Sequence, residues 1–229
     1  MEILRKRIYE ILKDKGVSSI RHANSVENSA FFLRNRCLMS RETIEKLSSQ
    51  TPFSKAQHSG TNYSVWNDIF ADSVDIHEQT NSVHNHGPVL FELDIEIIKN
   101  TYTGKVWVTK SNPMKWDANT HQERKWFVSA YDLEDNFACG SSEHMIVFRH
   151  CAGKLPILDH LNRVILDDPK LQTDRYQIDY FSMAFGALAL AMKQGGFDVP
   201  IEKRICNQGC SCLDSYKNGA IESEKMFSL

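Results

Sequence analysis

Residues 20 to 45 read IRHANSVENSAFFLRNRCLMSRETIE, and the fold turns on how this run divides. Ser19-Ile20-Arg21-His22 has the pattern of a short strand. A helix is expected next, over 27–34. Ser40 has the chemistry to open another over 41–48, because a serine hydroxyl can accept from the otherwise unpartnered amides of a first helical turn. Thr43 and Ile44 stand behind it in that turn.

Outward from this run, Ile3, Leu4, Ile8, Ile11 and Leu12 fall on one helical face, so a first helix is predicted over 3–13 with Gly16 as its stop. Downstream, β-branched and aromatic residues predict strands over 89–93, 106–109, 126–129 and 145–149, with a short helix over 95–100 after the first. Residues 158–164 lead into a final strand over 164–166. A long helix is expected over 174–195, stopped by Gly195-Gly196. The polar, Gly- and Ser-bearing run over 49–63 reads as a surface loop beside whatever site the fold carries. Strands with helices between and after them predict an α+β protein. Residues 1–200 are expected to form one domain and 201–229 a cysteine-containing appendage, whose polar end from 214 reads as a weakly held terminus.

The chain has 229 residues, of which 41% are hydrophobic and 24% charged, ordinary values for a globular protein with a sizeable core. Its net charge of -2 gives no overall pull toward nucleic acid, so such a partner needs a local basic patch. Arg34, Arg36 and Arg41 form one candidate, and Lys110, Lys115, Arg124 and Lys125 another; the competing reading is scattered, solvated charge. The opening residues carry charges and no apolar core of a signal peptide, and the most apolar stretch, 181–192, is short and broken by Gly186. A cytoplasmic protein with no membrane partner is expected. Six cysteines in such a chain read as thiols or metal ligands rather than disulfides.

Residues 140 to 149 read GSSEHMIVFR, placing the Glu143 carboxylate at the mouth of a strand that can hold it in a fixed position. A surface salt bridge is the competing role. Together with this segment, the run from 20 to 45 resembles the DarT-type ADP-ribosyltransferases, in which a strand bearing a His is followed six residues later by an Asn, then by a short helix and a Leu-x-Ser turn. The matching positions are His22, Asn28, Leu33, Leu38 and Ser40. Asn24 stands where that family carries Thr, and Arg36-Cys37 where it carries Gly. Asp75-Ile76-His77 ahead of Gly87-Pro88-Val89-Leu90-Phe91, the turn Lys110-Ser111-Asn112-Pro113-Met114-Lys115-Trp116, and Glu143 with Leu155-Pro156-Ile157 behind it follow in the order the resemblance requires.

The resemblance covers roughly residues 18 to 168 and implies an ADP-ribosyltransferase-like split β-sheet core with surrounding helices. It also implies NAD as substrate, a toxin-like or defence role, a nucleic-acid acceptor with DNA first and RNA open, and an antitoxin protein as partner. Glu143 would then be catalytic, stabilising positive charge on the ribose as nicotinamide leaves and deprotonating the acceptor. His22, Asn24, Asn28 and Ser40 would bind NAD, although His22 can equally be a core histidine and Ser40 a plain helix cap. The arginine that helps catalysis in that family is replaced here by Glu78-Gln79-Thr80, so Arg41 or Arg124 is expected to take its catalytic role, or the mechanism differs.

Two further clusters carry possible metal chemistry. His77, His84 and His86 with Asp72 and Asp75 offer imidazole and carboxylate ligands, the alternative being a metal-dependent nuclease or hydrolase. Cys206, Cys210 and Cys212 place three thiols in seven residues, enough for three zinc ligands, with a fourth to come from Cys139, Cys151 or a His elsewhere. A third reading of the whole chain is a non-catalytic nucleotide-binding module.

Overall fold

The computed structural model describes residues 3–47, 65–78, 86–100, 104–117, 119–173, 176–205 and 210–228. The first helix, α1 (Arg5–Asp14), buries Ile8, Tyr9, Ile11 and Leu12 and ends before Gly16, as its apolar spacing predicts. β1 (Ser19–Asn24) follows, then α2 (Val26–Asn35), whose N-cap Ser25 hydroxyl accepts from the Asn28 amide. α2 closes on Arg36 at φ 60, the left-handed conformation that glycine adopts without strain. The position where the sequence lacks the expected glycine region therefore still makes the glycine-type turn.

β2 (Cys37–Met39) and α3 (Arg41–Leu47) come next, then β3 (Ile69–Ala71) and a 3-10 turn at Ile76–Glu78. The expected loop at 49–63 lies outside the described residues. β4 (Val89–Asp94), α4 (Ile97–Asn100) and β5 (Lys105–Val108) agree with expectation to within a residue or two.

The strand expected over 126–129 is absent. Instead α5 (Gln122–Lys125) leads to Trp126, which makes a single bridge to Thr109, and Ser129 caps α6 (Ala130–Asn136) by accepting from the Asp132 amide at 3.1 Å. A serine cap with an acid in the first turn outweighs the strand preference of the Trp-Phe-Val run. β6 (Ile146–Arg149), β7 (Lys154–Pro156) and β8 (Leu161–Leu166) complete the middle of the chain. α7 (Tyr180–Gly195) starts later than expected because Asp179 caps it, its carboxylate accepting from the Ser182 amide at 2.8 Å.

The α+β expectation holds. The strands divide into a four-stranded sheet of order β1-β4-β8 with β9 (Ile201–Lys203) at its edge, a three-stranded sheet of order β3-β6-β5, and the small β2-β7 pair. All pairings are antiparallel except β8 with β9. The two larger sheets meet where β1 forms a backbone bridge from Arg21 to Asp72, just beyond β3.

α2 packs along α7, and the fit is close because a side chain at Gly195 would stand 2.1 Å from the Leu33 carbonyl oxygen. On the other face of the four-stranded sheet, Arg21, Glu92 and Arg163 stand in cross-strand register and pair as ions, and Arg163 reaches on to Glu202 at 2.7 Å.

The reading of residues from 214 as a weakly held terminus is corrected. α8 (Cys212–Asn218) and α9 (Ala220–Phe227) bury Tyr216, Met226 and Phe227 in the same hydrophobic cluster as β1, β4 and α7. The segment looks polar in sequence because each of these short helices turns only one or two large side chains inward. Among the described residues, no helix is long and apolar enough to cross a membrane.

Candidate active site

The strand-to-helix junction after β1 gathers three of the four residues expected to bind NAD. Alternation along β1 puts His22 and Asn24 on one face, toward α2, where the His22 ring lies 6.0 Å from that of Phe32. His22 Nδ1 lies 2.8 Å from the Phe70 carbonyl oxygen. A carbonyl only accepts, so that nitrogen carries the proton and Nε2 is left as an acceptor, 3.4 Å from the Asn24 side-chain amide. Burial lowers the imidazole pKa, the Phe70 carbonyl opposing it in part, so the ring is held neutral.

Asn24 Oδ1 accepts from the Ser25 amide and the Asn28 side-chain amide, both at 2.9 Å. The chain His22, Asn24, Asn28 is thus one hydrogen-bonded unit at the N-terminus of α2. Gly87, at φ +93, lies directly against it. A Cβ there would stand 2.3 Å from the Asn24 carbonyl, so the β4 approach needs glycine.

Ser40 and Arg41 belong to a second cluster. Buried Ser40 accepts from the Thr43 amide at 3.2 Å, which is the helix-cap role, and donates to Asn67 Oδ1 at 2.9 Å. The Arg41 guanidinium lies over the Trp66 ring, 4.9 Å from its centroid, and burial lowers its pKa.

Glu143 sits in a turn before β6, three residues short of the strand, and not at its first position. Its carboxylate takes the Lys115 ammonium on one oxygen and the Asn112 backbone amide at 2.7 Å on the other. These two donors, the lysine foremost, lower its pKa and keep it ionised. The Glu143 loop is tied to the β1–β3 seam: the Gly140 amide donates to Ser73 Oγ at 3.1 Å, and Arg21 donates to the Ser73 carbonyl at 3.2 Å. β6 carries the connection further, since Val147 pairs with the same Phe70 that holds His22.

The candidate basic patches are largely engaged locally. Lys110 pairs with Asp132 at 2.8 Å, Lys115 with Glu143, Arg34 donates to Gln194, and Lys125 is buried over Trp116.

Among the described residues, the His and Asp set between 72 and 86 does not bring three ligand atoms within coordinating distance of one another. The Asp75 carboxylate pairs with the Arg204 guanidinium, Asp72 bridges to β1, and His84 lies outside the described residues. Asp75, His77, His86, Gly87 and Arg204 instead line a shallow pocket with Ala23 and Leu90, on the face of β1 opposite His22.

Beneath this pocket lies a network with no counterpart in the sequence reading. Asp167, 3% exposed, accepts from Arg204, from the Tyr216 hydroxyl and from His77 Nδ1 at 3.0 Å. Burial alone would raise the Asp167 pKa, but His77 and Arg204 outweigh it and keep the carboxylate ionised, while burial beside that charge pushes the Tyr216 phenol well up. These partners stand 37 to 90 positions from Asp167, so no local pattern could have revealed them. Cys210 and Cys212 face the other side of the His77 ring. Cys206 lies outside the described residues, Cys139 is exposed, and Cys151 is buried near the Phe148 carbonyl.

No protein-family model matches the chain, and no curated protein matches it. Among solved structures it is similar to Thermosipho africanus DarTG, determined in complex with ADP-ribose, with a TM-score of 0.46 at 10% identity. The alignment covers 81% of this chain and 50% of that one, so the chain spans half the length of the protein it matches. At this degree of likeness no residue role is carried across.

Proposed function

We propose that the protein is an NAD-consuming mono-ADP-ribosyltransferase that uses His22, Asn24 and Asn28 to hold NAD and Glu143 to promote loss of nicotinamide. The observation that carries the reading is the hydrogen-bonded unit His22–Asn24–Asn28 at the start of α2. It supplies a neutral imidazole and two amides beside a helix N-terminus, where backbone N–H groups favour a phosphate-bearing ligand. An ionised Glu143 suits a transition state with positive charge on the ribose. Ser40 acts in this reading through the α3 cap, and Arg41 beside it takes the catalytic role of the family's arginine. Nucleic acid is the acceptor class, with DNA tested first, and an antitoxin protein is the expected partner in a toxin-like role.

The test is transfer of label from NAD in the presence and absence of DNA and RNA. Glu143→Gln keeps the side chain's size and removes its charge, so transfer should fall by about a hundred- to a thousandfold with the fold intact. His22→Ala and Asn28→Ala should each weaken NAD binding about tenfold in calorimetric titration, the loss of one good hydrogen bond. Transfer by Glu143→Gln within a few-fold of the parent protein would refute the assignment.

A further inference from the structure

We infer that His77, Cys210 and Cys212 form a zinc site that fastens the C-terminal helices to the 3-10 turn after β3. The ligating atoms of the three residues all lie within 4.8 Å of one another, and Cys210 Sγ is 3.8 Å from His77 Nε2. Tetrahedral zinc with bonds of about 2.3 Å to sulfur and 2.0–2.1 Å to nitrogen needs S···N and S···S edges of about 3.6 and 3.8 Å. The cluster needs only a small inward movement to occupy three of the four corners of that tetrahedron.

The imidazole is already arranged as a ligand. Nδ1 faces the Asp167 carboxylate at 3.0 Å, which turns Nε2 toward the two sulfurs. A buried carboxylate behind a ligating histidine fixes the ring and strengthens its donation to a metal. Asp167 is itself fixed by Arg204 and Tyr216, so the orientation of His77 is built from three elements besides its own. Cys212 is 5% exposed and the His77 side chain 9%, a setting in which two thiolates need a compensating cation. Zn²⁺ provides it, and binding releases the two thiol protons.

The location gives the site its role. His77 belongs to the 3-10 turn after β3, Cys212 opens α8 and Cys210 lies two residues before it, and Tyr216 of α8 is fully buried. A metal bridging them closes the chain back on itself across more than 130 residues. The site is independent of the transferase reading and stands or falls without it.

The experiment uses the full chain purified without a polyhistidine tag. Elemental analysis should find about one zinc per chain, and cobalt added after chelation should give a sulfur-to-cobalt charge-transfer band, which reports thiolate ligands directly. Cys210→Ser and Cys212→Ser should each abolish that band or lower zinc affinity at least about tenfold, and Asp167→Asn should lower it about 10- to 100-fold. If a serine variant fails to fold, the cobalt spectrum of the parent chain decides. Less than about half a zinc per chain with no thiolate band, or zinc and cobalt binding unchanged by both serine substitutions, overturns the site.

Discussion

Arg149→Met should be among the most destabilising single changes in the three-stranded sheet. The Arg149 guanidinium lies beside an edge-to-face indole pair, 4.8 Å from the Trp107 centroid and 4.9 Å from that of Trp126, and its Nε is 2.7 Å from Asp68 Oδ2. The Asp68 side chain is only 5% exposed. Burial raises its pKa even with the arginine charge beside it. Removing the guanidinium leaves a buried carboxylate without its cation, which costs about 3–5 kcal/mol, and forfeits cation–π contact with the indole pair worth about 1 kcal/mol or more.

For a chain of this size, each kcal/mol lowers the melting temperature by about 2–4 °C, so a fall on the order of 10 °C is expected. The double variant Asp68→Asn/Arg149→Met removes both charges and should recover part of the loss, giving a coupling of about 2 kcal/mol in a denaturant cycle. A loss under about 1 kcal/mol for Arg149→Met, or strict additivity in the cycle, would refute the argument that a desolvated charge governs this position.

Arg36→Gly should raise stability by about 0.5–1 kcal/mol, read as an increase in melting temperature, because glycine takes the left-handed C-cap without the strain that an L side chain carries there. Asp72→Asn should flatten the pH dependence of stability. Burial pushes the Asp72 carboxyl up to about 7, so the folded chain holds that proton more tightly than the unfolded one, whose carboxyl titrates near ~4. Stability is therefore lost as pH rises from about 4 to about 7, and the melting-temperature advantage of Asp72→Asn over the parent should grow across that window; an advantage independent of pH would show that burial does not set the proton affinity.

Much of the architecture was written locally. The i, i+3, i+4 spacing of Ile8, Ile11 and Leu12 defined α1, Ser40 announced the α3 cap, and the β-branched runs at Val89 and Ile146 marked strands. His22 and Asn28, six residues apart, are linked through Asn24, because a strand turning directly into a helix brings these positions near one another. These features depend on neighbours along the chain, and sequence records neighbours.

Other outcomes needed the tertiary structure. The Trp126 run became a bridge and a capped helix because its indole packs between Trp107 and Trp116, partners that only the folded sheet supplies. Glu143 meets Lys115, 28 positions away, and Asp167 gathers His77, Arg204 and Tyr216 from three distant segments. The two thiols at and just before the start of α8 gain an imidazole 133 residues upstream of Cys210. Local preferences are worth about 1 kcal/mol or less per residue, whereas desolvating a charge without a partner costs several, so where charged and sulfur ligands end up is decided by the whole fold.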